Sequence, residues 1–443
     1  MAATICPMLH RVRCFLVYKQ CLHLRYSIGR DYSCRSRSLY HNKPTISHYS
    51  SFRPFHPLGE YTGSKRLLVL GLETSCDDTG AAVVDNLGHV WGEALHSQTS
   101  THIELGGIIP PIAQKLHQQH IAGVVEKAFE EANVTLEDVD AIAVTVKPGL
   151  SLSLAVGLQY AKELAKEYRK PIIPIHHMEA HALTVRMKQP VNFPFLVLLA
   201  SGGHCLLAVS KSVNEFALLG TTMDNAPGDV FDKVARSLKL KNLPQCYDLS
   251  GGASVELVAK NGQPHAFEFP QVMLQSPDCN FSFSGFNSMA HRYISLAEKD
   301  QNIKGDAIIS NAADLCASFQ LGVLKHLAKR VQRALLFSEI TGLLGKEKTL
   351  VVSGGVACNQ FLINNLRKVC EEYNCSLYCP PPKLCTDNGI MVAWNGIEKL
   401  ARGIGIAKDL EQIEIQAKSP LGENLTEEVS KVKLKLERLK FDV

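Results

Sequence analysis

Residues 67–84, with the sequence L-L-V-L-G-L-E-T-S-C-D-D-T-G-A-A-V-V, decide the fold class of this chain. The apolar run at 67–72 predicts a buried strand, and the apolar run at 81–84 predicts the strand that returns beside it. Between these runs, residues 73–80 are polar and include Asp77. We therefore expect a strand–turn–strand unit with carboxylates at the end of its first strand.

The same pattern returns at residues 195–209, where the run F-L-V-L-L-A is followed by the turn S-G-G-H and the run C-L-L-A-V. A further apolar run at 349–352 leads into the turn S-G-G-V-A-C-N at 353–359. Helical periodicity at 113–133 and 155–168 lies between the first strands. Repeated units of this kind predict a duplicated lobe, and alternating strands and helices predict α/β layers.

The bulk composition is that of a globular protein without a membrane span. The chain has 443 residues, 46% of them hydrophobic and 20% charged, which is enough for two lobes with separate cores. No uncharged apolar run reaches the roughly 18 residues that a spanning helix needs. The 14 cysteines include no C-x-x-C pair, so neither a disulfide framework nor a zinc knuckle is indicated.

The first 59 residues differ from the rest in charge. They hold nine Lys or Arg against one acidic residue, Asp31, and are rich in Ser. This composition is typical of a mitochondrial transit peptide and predicts a location in the matrix; the alternative is a disordered basic arm that binds nucleic acid. The remaining 38 basic and 42 acidic residues give a formal charge of −4, so any nucleic-acid partner must bind a local basic patch.

The segment H-H-M-E-A-H at 176–181 follows an apolar run and opens a helical pattern. Residues four apart lie on one face of a helix, so His177 and His181 can direct ring nitrogens at one metal ion. Glu179 faces about 200° away, whereas in the zinc metalloprotease motif Glu directly follows the first His. The order H-x-E-x-H therefore argues against a metalloprotease, and the pair alone is more typical of two histidines that bind no metal.

A third candidate ligand, Asp387, lies in the segment C-T-D-N-G at 385–389. Its carboxylate can complete a His-His-Asp triad that leaves coordination positions open for a substrate. Taken alone, Asp387 is also a candidate helix N-cap.

Gly-rich turns follow the apolar strands, at the edge where open α/β sheets bind ligands. The S-G-G turns at 201–203 and 353–355 leave backbone N–H groups accessible to an anion. Asp232, where a turn leads into a helix, is suited to accept hydrogen bonds from ribose hydroxyls. The Gly pair at 251–252 allows backbone to lie against a flat base.

Together these segments resemble the TsaD family of tRNA threonylcarbamoyladenosine synthases, in its bacterial and mitochondrial form. The resemblance covers about residues 66–405, and its motifs occur in the family's order. They are G-L-E-T-S-C-D-D-T-G (71–80), G-G-I-I-P-P (106–111), H-H-M-E-A-H (176–181), S-G-G-H (201–204), F-D-K-V-A-R (231–236), F-S-F-S-G (281–285), S-G-G-V-A-C-N (353–359) and C-T-D-N-G (385–389).

The resemblance implies the actin/sugar-kinase/heat-shock-70 architecture, in which two duplicated RNase H-like lobes surround a nucleotide cleft. We expect a transit peptide at 1–59, a first lobe with the histidines at 66–192 and a second lobe with the Gly turns at 193–385. A returning helix with Asp387 is expected at 386–411, and a peripheral tail at 412–443.

The resemblance also implies an acyltransferase. Its substrate would be the N6 amine of the adenosine 3′ of the anticodon, in mitochondrial tRNAs that read codons beginning with A. Its donor would be threonylcarbamoyl-AMP, supplied by a separate synthase, and AMP would be released. We also expect a homodimer with one divalent metal ion in each subunit. This ligand set suits zinc, iron or manganese, so it does not decide which metal is bound.

Carried onto this sequence, the resemblance assigns His177, His181 and Asp387 as metal ligands. Asp77 is our candidate for the base that removes the amine proton, although it is equally suited to be a structural carboxylate. The residues expected at the nucleotide part of the donor are Leu199, Ala200, Ser201, Gly202, Gly203, Asp232, Gly252, Glu256, Cys358, Asn359 and Thr386.

Three other functions are weighed against this one. A small-molecule kinase or ATPase on the same fold would turn over ATP and would need no His-His-Asp metal. An endopeptidase is disfavoured by the order of the H-x-E-x-H segment. A nucleotide sensor without catalysis would keep its activity after both histidines are replaced. The chain departs from the family pattern at residue 287, where it has Asn and the family usually has Lys.

Overall fold

Two β-sheets organise the residues that the computed structural model describes, which are 65–105, 107–269 and 271–441. The segment for which a transit peptide is predicted, 1–59, lies outside them. The strands are β1 (Leu68–Glu73), β2 (Asp78–Asp85), β3 (Val90–Ser97), β4 (Ala141–Lys147), β5 (Ile172–His176), β6 (Phe195–Ala200), β7 (Cys205–Ser210), β8 (Phe216–Thr221), β9 (Lys348–Ser353), β10 (Cys375–Tyr378) and β11 (Glu423–Asn424).

The two sheets repeat one strand order, which confirms the predicted duplication. The first sheet has the order β3-β2-β1-β4-β5, and the second has the order β10-β9-β6-β7-β8-β11. β1 is antiparallel to β2 and parallel to β4; β6 is likewise antiparallel to β7 and parallel to β9. The expected α/β fold with two RNase H-like lobes is therefore present, with β11 as an addition to the second lobe.

Helices cover the sheets, and the two that the periodicity predicts are present with slightly earlier starts. They are α1 (Thr99–Glu104), α2 (Pro110–Ala132), α3 (Ser151–Tyr168), α4 (His177–Leu183), α5 (Pro227–Ser237), α6 (Gly251–Ala259), α7 (Ser284–Asp300), α8 (Ala312–Ile340), α9 (Gln360–Glu372), α10 (Gly389–Leu400) and α11 (Thr426–Lys431). No helix among these described segments has the length and apolar character needed to cross a membrane.

The acidic turn after β1 is shorter than the sequence predicts. β1 extends to Glu73 and β2 begins at Asp78, so only residues 74–77 lie between the strands. Asp78 pairs with Ser97 of β3, and Gly80 pairs with Glu73 of β1. Pairing with a third strand extends β2 through polar residues, and the local pattern does not reveal that neighbour.

Helix α10 lies directly on the first sheet because two glycines remove the side chains that would separate them. A Cβ atom on Gly71 of β1 would lie 2.3 Å from the backbone nitrogen of Ala393. A Cβ atom on Gly389 would lie 2.4 Å from the carbonyl carbon of Ala81 in β2. This close approach fixes the position of the residues just before α10, including Asp387.

A shared core joins the two lobes around α4 and α10. It combines Ile173 and Ala143 of the first sheet, Val197 of the second sheet, and the buried Met178 and Trp394 of the two helices. Because both helices contribute to this one core, the segments that carry the candidate metal ligands are held by packing from both sheets.

The tail from residue 412 is partly buried, whereas the sequence analysis expects it at the periphery. Ile413 packs in the core of the first lobe, and Val429 packs in the core of the second. Leu421 joins the shared core between them. Single apolar residues within a charged segment can make such long-range contacts. The average composition of the segment does not indicate them.

Candidate metal centre

Local structure sets the spacing of the two histidines. Strand β5 ends at His176, whose ring accepts a hydrogen bond from the backbone N–H of Met178 at 3.2 Å and so caps α4. His177 and His181 then lie one turn apart on the helix, with their ring centroids 4.7 Å apart. Both side chains are buried, at 5% and 3% exposure.

Asp387 reaches both histidines, as predicted. Its Oδ1 atom lies 3.0 Å from Nε2 of His181 and 3.5 Å from Nε2 of His177. The three candidate ligand atoms all lie within 4.8 Å of one another. Asn388, rather than Asp387, caps α10 by accepting from the N–H of Met391, which leaves the Asp387 carboxylate available for the site.

The three groups perturb one another electrostatically. Burial lowers the pKa of His177, but the charges of Asp387 and Glu73 outweigh burial and raise this pKa to about 9. Burial raises the pKa of Asp387, but the neighbouring charges of His177 and His181 hold it well below the usual range. The negative charges of Glu73 and Asp387 therefore favour a positive charge at this position, and a bound metal ion would take the place of the proton on His177, because a ligating imidazole must be neutral.

Glu73 is a residue of this site that the sequence analysis missed. Its fully buried Oε2 atom lies 3.1 Å from Nδ1 of His177 and accepts a hydrogen bond from the Thr145 hydroxyl at 2.6 Å. Its Oε1 atom accepts from the backbone N–H of Ser75. A carboxylate on the far nitrogen of a histidine fixes the ring so that its other nitrogen can bind a metal. The only signal in the sequence is an acidic residue directly after a buried strand.

The residues present fit a divalent cation. Two imidazole nitrogens and one carboxylate oxygen converge at a buried position, and this donor set suits zinc, iron and manganese alike. Among the described residues, these three form the group of histidine, cysteine and carboxylate side chains close enough to hold one ion. We therefore treat them as the candidate metal centre.

The S-G-G turn after β6 lies beside the start of α5. The backbone N–H of Gly228 donates to the carbonyl of Ser201 at 3.1 Å, and a Cβ atom on Gly228 would lie 2.9 Å from Cα of Gly202. Gly202 and Gly203 are exposed, and no atom occupies the space a Cβ would need at either. This turn leaves room for a ligand against its backbone.

The second S-G-G turn adjoins the first. Gly354 has a φ of 95°, and a Cβ atom there would lie 2.4 Å from the carbonyl oxygen of Ala200. Leu199 and Ala200 are buried in the strand, at 2% and 0% exposure, so they lie behind the turn and not on an exposed surface. The fold thus brings together the predicted segment 199–203 and the turn that leads to Cys358.

Two other predicted residues are hydrogen-bonded to the protein itself. Glu256 accepts at Oε1 from the backbone N–H of Gln360 at 2.8 Å, at the start of α9. Asn359 caps the same helix by accepting from the N–H of Leu362, and it donates to Oε1 of Gln320. These contacts fix the helix beside the second S-G-G turn, a structural role that the sequence analysis did not assign to them.

Asp232 likewise contacts backbone in the described structure. Burial raises its pKa, and hydrogen bonds from the N–H groups of Gly252 and Gly251 oppose that rise. The carboxylate therefore joins α5 to the first turn of α6. Asp232 and Gly252, predicted separately from two motifs, are in direct contact.

The remaining predicted residues lie in or against segments that adjoin the candidate metal centre. The Cys358 thiol lies 3.8 Å from the carbonyl oxygen of Pro382, on the segment that leads to Asp387. The Thr386 carbonyl accepts from the side chain of Asn388 at 2.6 Å. Asp77 lies in the turn after β1, four residues from Glu73, and its carbonyl accepts from the N–H of Gln98.

Comparison with known proteins gives matches over most of the chain. A family model described as "TsaD: tRNA N6-adenosine threonylcarbamoyltransferase" matches residues 89–394. A Mus musculus protein named "tRNA N6-adenosine threonylcarbamoyltransferase, mitochondrial" is 50% identical over 401 residues, which are 90% of this chain and 96% of that protein.

Two further relatives extend the match. A Homo sapiens protein with the same name is 48% identical over 377 residues, covering 85% of this chain and 91% of the relative. A Rhodospirillum rubrum protein named "tRNA N6-adenosine threonylcarbamoyltransferase" is 42% identical over 342 residues, covering 76% of this chain and 90% of the relative.

These similarities confirm the resemblance, the transferase class and the mitochondrial location that the sequence analysis predicts. The similarities do not identify a metal ion or an oligomeric state. The chain belongs to the TsaD family of tRNA N6-adenosine threonylcarbamoyltransferases.

Proposed function

We propose that this protein transfers the threonylcarbamoyl group of threonylcarbamoyl-AMP to the N6 amine of the adenosine 3′ of the anticodon in mitochondrial tRNAs. The tRNAs would be those that read codons beginning with A, and the place of action would be the mitochondrial matrix. The observation that carries the proposal is the convergence of His177, His181 and Asp387 in a chain of this family.

The Gly turns support a site for the nucleotide part of the donor. The segment 201–203 and Gly354 meet at the carboxyl ends of β6 and β9, where α/β sheets bind ligands. The backbone N–H of the exposed Gly202 is suited to hold the phosphate of an acyl-adenylate, whereas the N–H of Gly203 already donates to the Ser201 hydroxyl at 3.3 Å. In this proposal Glu256 and Asn359 fix the start of α9, and they contact the donor only with atoms not used in capping.

The reaction needs an activated acyl donor, because an adenine amine is a weak nucleophile. The N6 nitrogen attacks the carbamoyl carbon, the bond from that carbon to the phosphate oxygen breaks, and AMP leaves with the electron pair. When bound, a divalent ion would polarise the carbonyl or neutralise charge on the phosphate. The proton lost from the amine passes to a base, for which we propose Asp77.

The proposal includes partners. We propose that a separate synthase supplies threonylcarbamoyl-AMP, as the resemblance to the family implies. We also propose that the protein works as a homodimer with one divalent ion in each subunit. Size-exclusion chromatography with light scattering tests the homodimer, and metal analysis of the purified protein tests the stoichiometry.

The deciding experiment is mass spectrometry of mitochondrial tRNA nucleosides from cells that lack this protein. We expect threonylcarbamoyladenosine to disappear and to return with the wild-type chain, but not with the His177→Ala/His181→Ala double variant. The His291→Ala variant, which replaces an exposed histidine on α7, is the control and should restore the nucleoside. An unchanged nucleoside level in the deleted cells contradicts the proposed function.

The role of Asp77 has its own test. If Asp77 is the base, Asp77→Asn should slow transfer by about 10²–10⁴-fold while the affinities for metal and donor stay unchanged. Single-turnover transfer to a tRNA transcript, together with equilibrium binding of the donor, measures both. If this variant transfers at the wild-type rate, Asp77 is not the base, and its carboxylate has a structural role or no role.

The kinase or ATPase alternative predicts a different result. Such a protein would hydrolyse ATP faster when a sugar or carboxylic acid is present, and this would not require tRNA. Purified wild-type protein should show no such stimulation if it is the proposed transferase. Release of AMP from threonylcarbamoyl-AMP that depends on tRNA is the result expected instead.

A further inference from the structure

Glu179, the acidic residue between the two histidines, forms an ion pair on the far side of α4 from the candidate metal centre. Its Oε2 atom lies 2.7 Å from Nζ of Lys399, near the carboxyl end of α10. The two side chains are only 12% and 8% exposed. A pair this deeply buried is costly to break, because either charge alone would be left in a poorly solvated place.

A second ion pair lies beside the first, with the charges exchanged: here α10 supplies the acid, and the segment after α4 supplies the base. Glu398, fully buried, meets Nε of Arg186 at 2.7 Å and also Nη1 of Arg402 at 3.1 Å. Arg186 follows α4 directly along the chain. Thus the segment 179–186 carries an acid, Glu179, followed by a base, Arg186. Each of them pairs with one of two consecutive residues of α10 that carry the opposite charges.

These two pairs connect the elements that carry the metal ligands. Helix α4 carries His177 and His181, and α10 begins two residues after Asp387. A shift of one helix along the other would bring Glu179 towards Glu398, or Arg186 towards Lys399, and so place like charges together. The alternating charges therefore permit one register of α4 against α10.

We propose that Glu179 and Lys399 are positioning residues that set the distance between the two imidazoles and the Asp387 carboxylate. This inference rests on the metal centre of the proposed function and extends it beyond the ligands. It also gives a reason for the order H-x-E-x-H: the acid between the histidines points to a second helix and not to a metal-bound water.

The test uses the purified full chain with Co²⁺ as the probe, because its visible absorption reports ligand geometry. The main variant is Glu179→Gln/Lys399→Met, which removes both charges at similar volume and leaves no unpaired buried charge. We expect about tenfold weaker Co²⁺ binding and a shifted visible spectrum, in protein that circular dichroism shows to be folded.

A matched control and a rescue separate positioning from general stabilisation. The control is Glu298→Gln, which removes an ion pair of the same length to Lys239 in the second lobe and should leave Co²⁺ binding unchanged. The charge-reversed variant Glu179→Lys/Lys399→Glu should recover part of the lost affinity if the pair itself matters. The single Glu179→Ala variant leaves the buried Lys399 ammonium without its partner, and it should bind Co²⁺ most weakly.

The outcomes are distinct. If the folded neutral double variant keeps wild-type Co²⁺ affinity and spectrum, the pair merely stabilises the fold and the inference is overturned. If the wild-type chain itself fails to bind Co²⁺, the metal centre of the proposed function is wrong, and the inference falls with it. Weaker binding with a shifted spectrum in the neutral double variant, with unchanged binding in the Glu298→Gln control, supports positioning.

Discussion

The Nδ1 atom of His177 lies 3.1 Å from Oε2 of Glu73, a residue 104 positions earlier in the chain. Glu73 is fully buried and is itself held by the hydroxyl of Thr145 and the backbone of Ser75. Because the acidic residue is fixed, the imidazole is fixed with it, and its Nε2 atom is directed to Asp387. The candidate metal centre is therefore built on the first strand of the fold as well as on α4.

Replacing Glu73 with Gln should weaken metal binding about 10–100-fold, because the amide supports the histidine less well than a carboxylate does. Competition with a fluorescent chelator measures this affinity. Thr145→Val is the matched comparison: it removes one hydrogen bond to the same oxygen and should have a much smaller effect. Equal metal affinity of Glu73→Gln and the wild type would show that the carboxylate does not position His177.

Removing the metal ligands should abolish metal binding and transfer together. We expect His181→Ala and Asp387→Asn to lose stoichiometric metal, as measured by mass spectrometry of the dialysed protein, and to lose tRNA modification. Chelation of the wild-type protein should have the same effect, reversed by adding the ion back. Retained transfer after complete chelation would mean that these three residues serve a different purpose.

The contact of α10 with the first sheet predicts a large cost for one extra methyl group. Gly389→Ala should destabilise the protein by about 2–3 kcal/mol, because the new Cβ would overlap backbone of Ala81. Gly123→Ala, on an exposed face of α2 with open space around it, should instead stabilise by about 0.5–1 kcal/mol. Urea denaturation compares the two, and a similar effect of both substitutions would contradict the packing described.

His326 should make the fold sensitive to acid. It lies 5% exposed between Phe281 and Phe283, and its Nε2 accepts from the backbone N–H of Ser282. Burial, assisted by the charge of Arg330, lowers the pKa of His326 to about 3. The neutral form is thus favoured in the folded state, and its stabilising contribution is complete above pH 6.5 and is lost as the pH falls towards 3.

The corresponding measurement is urea unfolding of the wild type and His326→Gln at pH 7.5 and pH 5. At pH 5 the unfolded histidine is protonated while the folded one is not, which costs the wild type about 2 kcal/mol that the variant does not lose. The free energy of unfolding should therefore fall further in the wild type. An equal loss in both proteins would indicate that His326 is more accessible to protons than its burial implies.

The local patterns that predicted the site did so for physical reasons. The one-turn spacing of His177 and His181 follows from helix geometry alone, so the sequence suffices to place them on one face. The Gly turns after β6 and β9 are likewise evident because apolar strands must end where the glycines begin. These features repeat along the chain, and the duplicated sheet order that they predict is present.

Other features depend on contacts between distant residues. Glu256 looks like another polar residue of a Gly-rich motif, yet it accepts from the backbone N–H of Gln360 at the start of α9, 104 positions away. Asp78 looks like part of a turn, but pairing with β3 makes it part of a strand. The predicted transit peptide and the homodimer remain predictions.

The sequence by itself determined the α/β class, the duplication, the family and the two histidines on one helical face, because each depends on residues close together in the chain or on whole motifs. Tertiary structure alone decided that Glu73 supports His177, that Glu179 turns to Lys399, and that Asp387 reaches an imidazole 206 positions away. The order of strands in the sheet and the close approach of α10 set those distances, and neither is encoded in any short segment.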